Sequence, residues 1–372
     1  MAAPDRLSAR RLGRATLARQ LLLERSPMAP LDAVRHLVGM QAQEPLDPYL
    51  GLWSRLERFD PASLAQLLVD RGVVRIVVMR GTIHLVTVDD AAVLRPLAQP
   101  VLERELTMHR DFAPVLRDVD LGPVLPVAKQ LLDAQPLTFT ELRTALAEHF
   151  PDLDPAPLAF ACRNHLPLVQ VPPRGVWGEK GTVRTTTLEA WSGRRLDPRP
   201  SIDEVVLRYL TAFGPSATAD VAAWSRLTAL AEVLERLGPR LRTFRDERGR
   251  VLHDVPDAPR PEEDVPAPPR FLPEYDNVLL SHADRTRFGS DEQRARLGFG
   301  TRAVKGTVLV DGTVSGTWVA EHDREAGRAT LVVHHTRLTK KAAAAVTAEG
   351  RRMVRFKEPA ASDHDVRLVP LD

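Results

Sequence analysis

The sequence predicts an α+β fold: three tandem winged helix-turn-helix units followed by a mainly β C-terminal domain. Each predicted unit opens with a proline that is followed five residues later by an acid, at Pro27/Asp32, Pro136/Glu141 and Pro215/Asp220. Each closes on a predicted strand pair that turns at an Arg-Gly step, at Arg80-Gly81, Arg174-Gly175 and Arg248-Gly249. Because one winged unit can dock on a duplex, three in tandem are expected to wrap around one.

The first unit is placed at residues 1–100. Apolar spacing predicts a helix over 7–25 and a second from Leu31 into Met40. A third helix is expected over 61–69, with Asp60 as its N-cap. The β-branched run 73–88, broken only by Arg80-Gly81, predicts two strands and a turn.

The second and third units, at 101–197 and 198–256, repeat this order. In the second, helices are predicted over 140–149 and 157–165, and LPLVQVPPRGVWGE is interpreted as a short hairpin. In the third, three helices are predicted from the apolar spacing, and RTFRDERGRVLHDV is interpreted as the wing. The third unit has the clearest pattern of the three.

A proline-rich segment separates these units from the C-terminal third. Residues 256–270 hold six prolines and four acids, so we expect a linker at 257–270. The domain at 271–372 then reads as strands, with a hairpin at Asp311-Gly312 and a helix over 339–350.

Composition excludes several classes of protein. The net charge is only +2, and six of the 51 basic residues are lysines. Arginine suits phosphates and guanine edges, but this bias also fits a GC-rich genome, and both explanations stay open. The single cysteine, Cys162, excludes a disulfide framework and a thiolate metal cluster. We expect no metal, no cofactor and no membrane span, and a cytoplasmic, nucleoid-associated bacterial protein.

Two glutamines stand out in VGMQAQEPLDPYLGLWSRL, residues 38–56. Gln41 and Gln43 would point about 200° apart on a continuous helix. They can converge only if the helix ends between them, which Pro45 favours because it restricts Glu44. From the residues alone, either a convergent amide pair or two exposed polar residues at a helix end remains possible.

Three motifs in this order resemble the AlkZ-type winged-helix DNA glycosylases, a bacterial family that includes the YcaQ-type crosslink glycosylases. They are GMQAQEP with GLWSRL, MRGTIHLV at 79–86, and LPEYDNVLLSHADRTRF at 272–288. The resemblance covers essentially the whole chain. The Gln-Ala-Gln step matches the Gln-apolar-Gln motif of the AlkZ branch, whereas the YcaQ branch is expected to carry Gln-apolar-Asp.

The resemblance implies a monofunctional DNA glycosylase that excises N7-alkylated guanine, including azinomycin-type interstrand crosslinks, in repair and self-resistance. Gln41 and Gln43 would be the catalytic residues and would jointly orient a water onto C1′ of the sugar. An N7-alkylated guanine is already cationic, so its departure needs little help from a general acid. No lysine stands beside the glutamines, which argues against Schiff-base chemistry.

The expected partner is double-stranded DNA carrying alkylated guanine, bound by a monomer. The DNA-contacting side chains are expected at the wing tips, in the loop 281–287 and near the C-terminal hairpin: Arg80, Arg174, Arg248, His282, Arg285, Arg287 and Lys305. Asp276 and Asp284 are expected to pin that loop through backbone hydrogen bonds, and Trp53 to pack in a core. The alternative is a winged-helix transcriptional regulator without catalytic activity, which would bind undamaged promoter DNA and release no base.

Overall fold

The computed structural model describes residues 5–298 and 306–371, and its helices and strands confirm the mixed α+β class. The described helices are α1 Ala9–Arg19, α2 Pro30–His36, α3 Asp47–Arg55, α4 Pro61–Val69, α5 Val88–Met108, α6 Ala113–Leu116, α7 Val124–Ala134, α8 Phe139–His149, α9 Pro155–His165, α10 Leu188–Ser192, α11 Ile202–Phe213, α12 Thr218–Ser225, α13 Leu230–Leu237, α14 Asn277–Leu280, α15 Asp291–Arg296 and α16 Lys340–Lys357. The described strands are β1 Arg6–Leu7, β2 Met40–Gln41, β3 Val73–Val77, β4 Ile83–Thr87, β5 Leu168–Gln170, β6 Thr185–Thr187, β7 Arg242–Asp246, β8 Val251–Asp254, β9 Arg270–Leu272, β10 Gly306–Val310, β11 Thr313–Asp323, β12 Arg328–His335 and β13 Asp363–Pro370.

The first predicted unit contains an unexpected strand. Asp60 caps α4 as predicted, because its side chain accepts from the Ala62 amide. The helix predicted to run into Met40 is wrong: α2 ends at His36. Val38 and Gly39 then adopt φ angles of 55° and 88°, a left-handed backbone that ends a helix. Met40 and Gln41 therefore form β2, which pairs with β4.

One sheet joins the first two predicted units. Its strand order is β2-β4-β3-β5-β6, and β3 pairs with β5 through Arg75 opposite Gln170. The short second hairpin predicted from the sequence is wrong, because β5 pairs with β6 across a longer loop. Pro172 and Pro173 follow β5 and have no N–H to donate, so pairing cannot continue there. Trp177 packs instead on the rings of Tyr49 and Phe356, at 5.1 Å from each.

The third predicted unit has the expected order. Helices α11, α12 and α13 precede the antiparallel pair β7–β8, which turns at Arg248-Gly249. Strand β1, near the N-terminus, adds to β7 in parallel, through Leu7 opposite Asp246. The N-terminal segment and the third unit therefore fold together.

The proline-rich segment has no helix or strand before β9, but it is anchored to α1. The Glu263 carboxylate accepts from the Ser8 hydroxyl at 2.5 Å, and the Val265 carbonyl accepts from Arg14 Nε at 2.7 Å. Arg11 pairs with Glu262 at 2.5 Å. These contacts fix its course over the first helix.

The C-terminal sheet has the order β13-β12-β11-β10-β9. The Asp311-Gly312 hairpin is confirmed between β10 and β11, and both residues have positive φ. Helix α16 packs Val346, Met353 and Val354 into the core of this sheet and extends beyond the predicted 339–350. Among the described residues no helix is long and apolar enough to cross a membrane, and no cluster of side chains suits a metal ion.

Candidate active site

The three sequence motifs meet around the side chain of Arg80. Arg80 lies in the turn between β3 and β4 with a φ of 60°, and it is 9% exposed. Its Nη2 donates to Gln41 Oε1 at 2.6 Å and to Asn277 Oδ1 at 2.8 Å. Gln41, Arg80 and Asn277 each come from a different motif. The fold thus assembles one polar cluster from three distant stretches of chain.

His84 completes the cluster in its neutral form. Its Nδ1 lies 3.0 Å from the Thr82 carbonyl, so this nitrogen carries the proton. Its Nε2 is then free to accept from Arg80 Nη2 at 3.2 Å. Burial, reinforced by the Arg80 charge, lowers the pKa of His84 to about 3. The imidazole therefore stays uncharged at physiological pH.

Arg80 is a buried cation whose described partners are all neutral. Its Nη1 donates to the Trp224 carbonyl at 3.2 Å, and no carboxylate among the described residues forms an ion pair with it. Burial lowers its pKa to about 10, and the charges of Arg226 and Arg285 act in the same direction. A guanidinium remains protonated at that value, so it places a positive charge beside Gln41.

A buried ion pair holds the third motif against the first. Arg55 donates from both terminal nitrogens to Asp276, at 2.8 and 2.9 Å, and both side chains are 2% exposed. Asp276 also accepts from the Val278 amide at 3.0 Å, which confirms its predicted structural role. The same holds for Asp284, which accepts from the Thr286 amide at 2.9 Å. The Arg55–Asp276 pair thereby fixes the position of Asn277.

The structure does not bring the two glutamines into one cavity. Gln41, 7% exposed, lines a space of about 10 Å³, enough for one water molecule at most. Gln43 is exposed and lines a separate cleft of about 290 Å³. The reason lies in Ala42, whose amide donates to the Ile83 carbonyl and whose carbonyl accepts from Arg75. These two hydrogen bonds fix the backbone at Ala42, so that the Gln41 side chain faces Arg80 and the Gln43 side chain faces the other cleft.

Asp47 is a site residue that sequence reasoning missed. It lines the small space beside Gln41, and its Oδ2 is buried without a hydrogen-bond partner among the described residues. Burial raises its pKa to about 8; the charges of Glu274, Glu44 and Asp276 act in the same direction, and Lys357 opposes them. The available signal was its place in the segment 38–56, between GMQAQEP and GLWSRL, where no role was predicted for it.

Three predicted DNA contacts have accessible side chains. Arg248 is exposed at the third hairpin tip, 3.5 Å from Asp284, and Arg285 is exposed in the adjacent loop. Arg174 is half-buried and donates to the Gly181 carbonyl at 3.4 Å. The structure thus leaves these side chains accessible, and their contact with DNA stays a prediction.

Three of the other predicted DNA contacts, Arg80, His282 and Arg287, are buried rather than exposed. The remaining predicted contact, Lys305, lies outside the described residues. Arg80 turns inward, as described. His282 is 1% exposed and faces the Phe213 carbonyl at 3.1 Å, and burial holds its pKa well below the usual range. Arg287 is 5% exposed and donates to Thr16 Oγ1 at 3.0 Å. The expectation of DNA-facing side chains is corrected for these three, because each is committed to an interior contact.

The fold matches that of a solved DNA glycosylase. The Streptomyces sahachiroi DNA glycosylase AlkZ superposes with a TM-score of 0.78 at 21% sequence identity, covering 98% of this chain and 100% of that chain. Comparison with curated proteins gives no match. The sequence model described as "DNA glycosylase AlkZ-like" matches residues 34–356, a span that contains all three motifs of the cluster.

The fold and the sequence match therefore define a DNA glycosylase rather than a regulator without catalytic activity. The chain belongs to the AlkZ-like DNA glycosylase family.

Proposed function

We propose that this glycosylase hydrolyses the N-glycosidic bond of N7-alkylated guanine in double-stranded DNA, including guanines held in interstrand crosslinks, and that it acts as a monomer without a cofactor. The observation that carries the proposal is the pair of hydrogen bonds that Arg80 donates to Gln41 and Asn277, which unites three motifs in an AlkZ-like chain. Its role would be the repair of alkylation damage, including self-resistance to a crosslinking agent.

The chemistry of the cluster suits a base that is already charged. His84 is neutral, and the Arg80 protons point at acceptors, so neither side chain acts as a proton donor to a leaving group. An N7-alkylated guanine needs none, because it leaves as a neutral base when the glycosidic bond breaks. We therefore expect a preference for labile cationic adducts over normal bases.

The two glutamines take different parts in this proposal. Gln43 is exposed, and its amide oxygen can accept a hydrogen bond from the water that attacks C1′. As the C1′–O bond forms, the C1′–N9 bond breaks, the base leaves neutral, and the proton of the water passes to solvent because an amide does not take it up. The Gln41 amide is held by Arg80 and keeps its nitrogen side directed away from that guanidinium. In this proposal Gln41 holds the end of strand β2 in place, and Gln43, two residues later, extends from that end toward the sugar.

The surface that meets DNA is proposed to combine exposed arginines with helix α16. Arg248 and Arg285 are exposed, and α16 adds basic side chains that form no ion pair among the described residues: Lys340, Lys341, Arg351 and Arg355. The arginines of α1 are less suited to this part, because each pairs with a carboxylate at 2.5–2.7 Å, whereas Arg248 lies 3.5 Å from its partner Asp284. Those pairs are Arg10–Asp311, Arg11–Glu262, Arg14–Asp311 and Arg19–Asp254.

A base-release assay tests the proposal. Duplex DNA containing 7-methylguanine is incubated with the wild type and with Gln41→Ala and Gln43→Ala, and free base and abasic sites are measured. We expect each variant to release base about 10²-fold more slowly. Gln66→Ala, an exposed glutamine on α4, is the matched control and should keep the wild-type rate. Wild-type rates in both motif variants would refute the catalytic assignment.

The monofunctional assignment has its own check. Borohydride reduction during turnover should trap no covalent protein–DNA adduct, because no Schiff base forms. Lys357 lies close enough to Asp47 to lower the pKa of that carboxyl, so it is the lysine to replace if an adduct appears.

A further inference from the structure

The 290 Å³ cleft beside Gln43 lies on the side of the five-stranded sheet opposite the Arg80 cluster. Gln41 pairs with His84, which pairs with Ile76 across the sheet. Arg75 is the neighbour of Ile76 and pairs with Gln170, so these two side chains point to the other face. Both line the cleft together with Gln43. The cleft is therefore separate from the small space around Gln41.

Two residues that line the cleft, Arg75 and Gln170, carry polar atoms that lack partners. Arg75 is 1% exposed, and its Nη2 donates to the Ala42 carbonyl at 2.8 Å. Its Nε and Nη1, and the Oε1 of Gln170, are buried without a hydrogen-bond partner among the described residues. Leaving buried polar groups unpaired is unfavourable, so a ligand that supplies partners would be stabilised there.

The guanidinium of Arg75 is held in place. A Cβ at Gly175 would come within 3.0 Å of Arg75 Cδ, so the backbone of the second Arg-Gly turn lies directly against this side chain. The Gly175 carbonyl is fixed in turn by the Tyr49 hydroxyl at 2.8 Å. The donors of Arg75 are thus preorganised rather than mobile.

The walls near the opening are apolar and exposed. Phe139 is 45% exposed and Val183 is 38% exposed, although both are large hydrophobic residues. Ile83 and Val77 extend the same lining inward. A cleft of about 290 Å³ with apolar walls and a few polar groups is typical of a small-molecule site.

We propose that this cleft receives the substituent on N7 of the damaged guanine, and that it selects flat, uncharged aromatic substituents that carry a hydrogen-bond acceptor. The inference rests on the proposed function and specifies its substrate class. N7 faces the major groove, so a substituent there projects from the duplex while the guanine stays near the stack. The acceptor would bind Arg75 and the ring would pack on Phe139. Arg75 and Arg163 disfavour a cationic substituent, and a methyl group leaves the cleft empty.

The test compares two lesions and two cleft variants. Duplexes carry a single 7-methylguanine or a single 7-phenacylguanine, whose substituent has both a ring and a carbonyl. Val183→Trp fills the opening, and Phe139→Ala removes the packing surface. We expect each variant to lower kcat/KM for the phenacyl lesion at least tenfold more than for the methyl lesion. Val319→Trp, at an exposed valine on β11, is the matched control and should leave that ratio at the wild-type value. Melting curves confirm that each variant folds.

The outcomes separate this inference from the function on which it rests. Parallel losses on both lesions, or no loss on the phenacyl lesion in either variant, would overturn the cleft assignment. So would a wild type that releases 7-methylguanine but not 7-phenacylguanine. If the wild type releases neither base, the proposed function itself fails.

Discussion

The first and third hairpin tips carry the same Arg-Gly step, but their arginines lie in opposite environments. Arg80 has a left-handed φ of 60° and is buried among Gln41, His84 and Asn277. Arg248 is exposed, and its nearest charged partner is Asp284 at 3.5 Å. The first tip is covered by the start of α14 and by the end of α12, whereas the third tip stays at the surface. The same dipeptide therefore serves the candidate active site in one hairpin and can meet solvent or DNA in the other.

The largest expected effect concerns the ion pair that covers the first tip. Asp276→Ala leaves Arg55 buried and unpaired, which should lower the free energy of unfolding by about 3–5 kcal/mol. The measurement is urea denaturation. Asp284→Ala is the matched control at the third tip, where the partner Arg250 is 37% exposed, and we expect a smaller loss. Equal losses of unfolding free energy in the two variants would mean that the ion pairs at the two tips contribute equally to stability.

The second effect concerns catalysis. Arg80→Ala removes the donor that orients Gln41 and Asn277, and we expect kcat for 7-methylguanine release to fall about 10²-fold. Affinity for undamaged duplex, measured by fluorescence anisotropy, should stay at the wild-type value. If instead affinity falls and kcat is unchanged, Arg80 turns outward on binding and contacts phosphate like an ordinary wing residue.

A third effect concerns pH and the carboxyl beside Gln41. Asp47 has a pKa of about 8 in the folded protein, raised from an ordinary value of 3.8. The folded state therefore holds its proton more tightly than the unfolded state, and stability is lost as pH rises from about 4 to about 8. Asp47→Asn should remove this loss and raise Tm at pH 8 by about 2–4 °C, with little change at pH 5. Asp32→Asn, at a 58% exposed carboxyl on α2, is the matched control substitution.

The smallest effect is expected at the exposed tip. Arg248→Ala should weaken duplex binding only a few-fold and reduce the slope of log K against log salt by about 1, as for the loss of one phosphate contact. The rate of base release at saturating DNA should not change. A loss of kcat without a change in the salt slope would contradict this prediction, because it would mean that Arg248, like Arg80, contributes to catalysis rather than to phosphate binding.

The fold class and most helices could be predicted from apolar spacing and capping residues, because these signals are local. Asp60 before α4 and the spacing in the third unit are examples. The strand at Met40–Gln41 could not, since it depends on the backbone at Val38 and Gly39 and on pairing with β4.

The sequence predicted the segments that form the candidate site, but not how their side chains are arranged. The resemblance singled out the segments that contain Gln41, Arg80 and Asn277, but the contact between them depends on tertiary packing that no spacing reports. Asp47 was missed because its unusual pKa arises from burial and from acids elsewhere in the chain, such as Glu274. Which of the predicted DNA-contacting arginines are exposed also depends on tertiary packing, so the sequence could not predict it.

The hydrogen bond between Arg80 and Asn277 spans 197 residues of chain. A nascent protein that has left the ribosome only as far as its third helical unit lacks Asn277 and cannot close the cluster around the Gln41 amide. Under the proposed function, base excision depends on completion of the chain beyond this point, and a prematurely terminated product would lack the assembled cluster.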